Sequence, residues 1–85
     1  MNWPKQVAAF LAAHNTLTLA TVDENGLPAA AALFYAEDAA LNLYFLSEAD
    51  SAHARHIARQ PWVAVTIQAD GQSWQAIQGV QLRGV

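Results

Sequence analysis

The chain has 85 residues, enough for one domain at most, and a formal net charge of -3 at neutral pH. Apolar residues make up 54% of it and charged residues only 13%, against about 45–50% and about 25% in ordinary soluble domains. An acidic chain without clustered Lys and Arg argues against nucleic-acid binding, and the absence of cysteine excludes disulfides and thiolate metal sites.

Trp3-Pro4 opens a first helix, because proline is pre-set for the first helical position. Val7, Ala8, Phe10 and Leu11 follow the i, i+3, i+4 rule, so one face packs inward. His14 and Asn15 are expected to close the helix. An imidazole suits the negative helix end, and asparagine tolerates the left-handed conformation. Thr16 to Val22 alternates Thr and Leu and reads as a strand with one apolar face. Asp23-Glu24-Asn25-Gly26 is a hairpin loop, with Asn-Gly supplying positive φ. Pro28 stands near the start of the next strand, Ala29 to Tyr35. Its four alanines favour helix by propensity, but the hairpin before them and Leu33-Phe34-Tyr35 after them favour strand. Such small side chains let a flat group, or a packed neighbour, come close to the backbone.

Glu37-Asp38 marks a turn, and Leu41 to Leu46 has the apolar density of a buried strand. Ser47 to Ser51 supplies short polar side chains that suit turns and helix N-caps. A second helix follows from Ser51 to Gln60 and stops at Pro61. Four of the seven basic or imidazole side chains lie in it: His53, Arg55, His56 and Arg59. The helix dipole and free N–H groups favour an anion at its start. The competing reading is a solvated amphipathic helix. Trp62 to Ala69 is a strand with Trp62, Ala64 and Thr66 on one face and Val63, Val65 and Ile67 on the other. Asp70 to Ser73 turns the chain. Trp74 to Gln78 and Val80 to Val85 form a last strand, with Gly79 a bulge or a point of close approach. The fold class is mainly β with flanking helices: an antiparallel barrel capped by two helices.

His53 and His56 are three apart on one helix, but a metal site needs three or four ligands and none completes this one, so no metal is expected. Ser47 and Ser51 read as caps rather than nucleophiles, and Trp62 and Trp74 as core, with stacking on a planar ligand as the alternative. No constellation performs acid–base chemistry alone, and no catalytic residue is named. An enzyme of this sequence would depend on a cofactor. No apolar run approaches the roughly 20 residues that span a bilayer. The first residues lack the pattern of a secretion signal, and the expected location is the cytoplasm.

Leu19-Ala20-Thr21-Val22 followed by Gly26-Leu27-Pro28 resembles the opening of the flavin-binding split-barrel proteins, the pyridoxamine 5'-phosphate oxidase-like superfamily. Phe45-Leu46-Ser47, Ser51-Ala52-His53, Arg55-His56-Ile57 and Pro61-Trp62-Val63-Ala64-Val65 resemble its central block. The resemblance runs from about His14 onward. It implies a split barrel that forms a homodimer and binds FMN between subunits. The flavin ring would lie along Ala29, Ala30, Ala31, Ala32 and Leu33. The cofactor would also meet Phe45 and Leu46. Its phosphate would meet the loop and helix from Ser47 to Arg55, through Ser47, Ser51, His53 and Arg55. Two positions depart from the pattern: His53 stands where a lysine is expected, and Ala29 or Ala30 where many members carry a basic residue. The chain also lacks the later barrel strands and helix of typical members, which implies a partial domain. The implied activity is an FMN-dependent oxidoreductase acting on a small molecule. The alternative is a ligand-binding or stress-related member without tight FMN binding.

Overall fold

β1 (Thr16–Val22) forms where Thr and Leu alternate, and Leu17, Leu19 and Thr21 on one of its faces are buried. The computed structural model describes residues 3–85. Around β1 stand α1 (Trp3–Ala13), β2 (Pro28–Phe34), β3 (Ala36–Glu37), β4 (Leu43–Tyr44), α2 (Ala52–Arg59), β5 (Val63–Gln68) and β6 (Gly79–Gly84). The hairpin between β1 and β2 forms as its sequence predicts. Asp23 accepts the N–H groups of Asn25 and Leu27 on its carboxylate, and Gly26 takes a φ of +79°. β1 then pairs antiparallel with β2 on one side and β5 on the other, and β5 pairs with β6. Leu19 stands opposite both Ala31 and Val65.

The sheet order is β2-β1-β5-β6, so among the described residues it is open, with β2 and β6 as edges. The expected mainly-β, antiparallel class with two helices holds, but these strands do not close into the expected barrel. One face carries the core: Leu17, Leu19, Val65 and Ile67 from the strands, with Leu11 and Tyr35. The faces of β5 are the ones the alternation predicts. α1 packs on this core through the expected set, with Leu11 fully buried and Val7 and Phe10 against it. The opposite face holds small side chains in two rows, Ala32, Thr18 and Thr66 in one and Ala30, Ala20 and Ala64 in the other. Phe34 (74% exposed) and Trp62 (59% exposed) flank the rows.

Several sequence expectations change. Asn15 does not close α1 in a left-handed conformation. Its carbonyl accepts from Tyr35 N–H and starts the ladder with β2. The end of α1 is satisfied differently: the buried Tyr35 hydroxyl donates to Leu11 O at 2.7 Å, and His14 stacks on Phe10. Burial, aided by Glu37, raises the Tyr35 pKa. The expected strand Leu41 to Leu46 shrinks to Leu43–Tyr44, paired with β3 in a separate two-stranded sheet. Asp38 is the cause. Its carboxylate accepts from Ala40 N–H, Asn42 N–H, the Asn42 side-chain amide and the Tyr44 hydroxyl. This loop holds Leu41 at a φ of +65°, outside any strand. Leu46 is 98% exposed rather than buried. The stretch Trp74 to Gln78 is not strand either. It holds a 3-10 turn, Trp74–Ala76, started by the Ser73 hydroxyl accepting from Gln75 N–H. Neither Trp62 nor Trp74 is core; both are largely exposed. Gly79 is a close-approach point: a Cβ there would lie 3.1 Å from the Ile67 carbonyl oxygen.

Two tests follow from this packing. Leu19→Ala removes a fully buried side chain from the centre of the sheet and is expected to cost roughly 2–5 kcal/mol in urea unfolding. Leu46→Ala, at the surface, is expected to stay within about 0.5 kcal/mol. Equal costs would mean the chain packs differently. The Asp38 loop is sensitive to acid. Its hydrogen bonds, led by the Asn42 side chain, lower the Asp38 pKa from 3.8 to about 2. The folded pKa is depressed, so the stabilisation is complete above the ordinary value and is lost as pH falls through about 2. The Ala40 and Asn42 amide resonances should titrate with that midpoint, and Asp38→Asn should abolish the titration. A midpoint near 3.8 would show that the loop does not hold the carboxylate.

Candidate functional site

α2 has only eight residues, so its caps and its packing decide whether it forms. Ser51 is the N-cap, with an extended backbone and its hydroxyl accepting from Ala54 N–H at 3.3 Å. Gln60 is the C-cap and Pro61 follows it. The first turn holds no acidic residue, and the last holds His56 and Arg59, where the dipole favours cations. The helix lies over β1 and β2. His53, Ala54, His56 and Ile57 are half-buried, and Ala52, Arg55, Ala58 and Arg59 are exposed. Ile57 packs on the core.

The two histidines face inward and each has a partner. His53 Nε2 lies 2.5 Å from Ser47 Oγ, and its ring meets the Phe45 ring edge-on with centroids 6.2 Å apart. His56 Nδ1 lies 2.8 Å from Oγ1 of Thr21, which is only 3% exposed. Phe45, Ser47 and His53 are therefore brought together beside the first turn of α2. Ser51 is next to them but its hydroxyl is engaged as the cap. Arg55 is two residues from His53 and points away from it, toward solvent. Leu46 points to solvent and makes no part of the cluster.

β2 divides its candidate residues between two faces. Ala29, Ala31 and Leu33 are half-buried on the core side, and Ala30 and Ala32 are exposed on the other. The bonds Tyr35 N–H to Asn15 O and Asp23 N–H to Leu27 O fix the phase of the ladder. Odd-numbered residues of β2 therefore exchange bonds with β1, since bonded pairs alternate along an antiparallel ladder. The N–H and C=O groups of Ala30 and Ala32 point out of the free edge. No bulky side chain stands over them on β2 until Phe34.

A hollow of about 570 Å³ lies elsewhere. Leu17, Leu19, Leu43, Phe45, Ile57 and Val65 are among the residues that line it, which makes it the uncovered part of the core face. Of the sequence-predicted site residues only Phe45 reaches it. Thr21 escaped the sequence reading as a site residue. Its signal was there: a hydroxyl on the inward face of a strand of leucines needs a partner. Among the described residues no group of three His, Asp or Glu is placed to hold a metal, and no described helix is long and apolar enough to cross a membrane.

Fold and site together define an antiparallel β protein with a short cationic helix laid across one end of its sheet. The family model for pyridoxamine 5'-phosphate oxidase matches residues 3–85. The chain belongs to that family. Among solved structures it is similar to a conserved hypothetical protein from Mycobacterium tuberculosis, with 30% identity and a TM-score of 0.87 over 100% of this chain and 51% of that one. It is also similar to a pyridoxamine 5'-phosphate oxidase-related, FMN-binding protein from Nostoc punctiforme, with 25% identity and a TM-score of 0.79 over 99% and 46%. The heme storage protein HutZ from Vibrio cholerae shares the fold, with 22% identity and a TM-score of 0.78 over 98% and 60%. The chain thus spans about half the length of these structures. No curated protein sequence matches it.

The cap gives the test for this region. Ser51→Ala is expected to cost about 1 kcal/mol, within the usual 0.5–2 for a lost N-cap, and to lower helical ellipticity. Ser51→Asp, which keeps an acceptor, should hold stability near wild type. A cost-free alanine would mean that packing alone holds α2.

Proposed function

We propose that this chain is the FMN-binding part of a homodimeric split-barrel flavoprotein, an oxidoreductase acting on a small molecule. The observation that carries it is the meeting of Ser47 and His53 beside the first turn of α2. A phosphate there finds a hydroxyl, an imidazole and the N–H groups of Ala52 and His53, which have no partner within a helix. The donors fit a phosphate monoester. The free edge of β2 fits a planar ring system. Ala30 and Ala32 keep it low, and their main-chain donors and acceptors can pair with polar ring atoms. The Nostoc relative, described as FMN-binding, supports this choice of cofactor.

FMN, when bound, supplies the electron or hydride transfer. The chain's own residues bind and orient. Ser47 and His53 would hold the phosphate, and the flat strip at Ala30 and Ala32 would receive the ring. Arg55 would add long-range attraction for the anion rather than contact, given its solvent-facing position. The second copy would cover the outer face. That face has two rows of small residues that end in Gln81 and Arg83 on β6, with Phe34 and Trp62 flanking them and no carboxylate among them.

The full-length protein should purify with, or take up, FMN and show flavin absorbance, and should sediment as a dimer. His53→Ala is expected to weaken FMN binding by roughly 1.5–3 kcal/mol, the scale of a hydrogen bond to a charged group. Riboflavin, which lacks the phosphate, should lose far less. Equal losses for both ligands would place His53 away from the phosphate. A haem Soret band with no flavin uptake would overturn the cofactor.

A further inference from the structure

Thr21 is the one buried residue of β1 with a polar side chain, and its hydroxyl reaches out of the sheet to α2. Ile57 of α2 packs on the apolar core. Apolar contact tolerates rolling and sliding, whereas a hydrogen bond at 2.8 Å to a buried partner does not. His56 and His53 are three apart, so they share a face and move together. Fixing His56 on Thr21 fixes where the His53 ring arrives.

We infer that Thr21 and His56 are positioning residues: their hydrogen bond sets the roll of α2 and so delivers His53 to Ser47 at the helix start. The idea rests on the phosphate-site reading above, but it concerns how the site is built and not what fills it. The lever is short. One helical turn separates His56 from His53, and the helix start is held by the Ser51 cap and by the contacts of His53 itself with Ser47 and Phe45. Asp23 and Arg59 are the charged neighbours of His56: both His56 and Arg59 help to lower the pKa of Asp23, behind the larger effect of the Leu27 and Asn25 amides. Asp23 already spends one carboxylate oxygen on those loop amides. It does not replace Thr21 as the partner of Nδ1.

Thr21→Val keeps the shape of the buried side chain and removes the hydroxyl. His56→Asn keeps a polar atom as many bonds from the backbone as Nδ1, and His56→Ala does not. Each variant is made in the full-length protein, checked for cooperative unfolding, and titrated with FMN and riboflavin. The imidazole nitrogen resonances of His53 are recorded without ligand. Thr21→Val and His56→Ala are expected to lower FMN affinity on the order of tenfold, the worth of one hydrogen bond, with riboflavin changed far less. Both should shift the His53 Nε2 resonance away from its hydrogen-bonded position. His56→Asn should restore most of the FMN affinity and the His53 signal. A folded Thr21→Val with the wild-type FMN-to-riboflavin ratio and an unchanged His53 spectrum overturns the inference. If the wild type binds neither flavin, the cofactor reading fails, and the His53 resonances decide the positioning role on their own. If Thr21→Val does not fold, the contrast between His56→Ala and His56→Asn decides it.

Discussion

The inward alternation of β1 is the constraint on which the rest depends. Leu17, Leu19 and Thr21 can face the core only if the strand keeps one register with β2 and with β5 at once. A slip of one residue would turn all three to the outer face and bring Thr18 and Ala20 inward. Leu19, nearly inaccessible between Ala31 and Val65, makes that slip costly. The same register determines what each face of β2 shows. It puts Ala29 and Ala31 against the core and leaves the backbone groups of Ala30 and Ala32 on an open edge.

The elements with strong local periodicity were legible in the sequence. α1, β1, the Gly26 hairpin, α2 between Ser51 and Pro61, and the two faces of β5 all follow from spacing and turn chemistry. The stretches that changed are those where a polar side chain captures the backbone. Asp38 gathers four donors and turns Leu41 out of a strand that its apolar neighbours favour. Ser73 does the same, more weakly, before Trp74. Such competition depends on where one oxygen can reach, and apolar periodicity does not encode it. The tryptophans were misjudged for a different reason. Burial on a strand requires a covered face, and the face that carries Trp62 has no cover among the described residues.

The candidate site was legible as a region and not as a set of contacts. Charge placement located α2, but the helix sorts its cations by face. His53 and His56 turn inward to hydroxyl partners, while Arg55 and Arg59 turn outward. A histidine can do what a lysine does less well here. Its planar ring, met edge-on by Phe45, is held beside Ser47 with few free rotations.

The composition now has a structural counterpart. A chain that is 54% apolar buries only six hydrophobic residues among those described, while Trp3, Phe34, Trp62, Trp74 and Ile77 stand exposed. Two surfaces hold part of the surplus, one on each side of the sheet. The hollow on the core face is lined by leucines and valines and asks for more apolar side chains. The outer face is low where alanine and threonine form its rows on β2, β1 and β5, and it rises at Gln81 and Arg83 of β6 and at the flanking Phe34 and Trp62. The two surfaces differ in kind. Covering the hollow finishes the core and so bears on stability. Covering the outer face leaves the core untouched, and it would enclose the edge of β2 on which the ring is proposed to lie. A cofactor placed there would then be held by the same contact that is proposed to join two copies, and dilution would loosen both together.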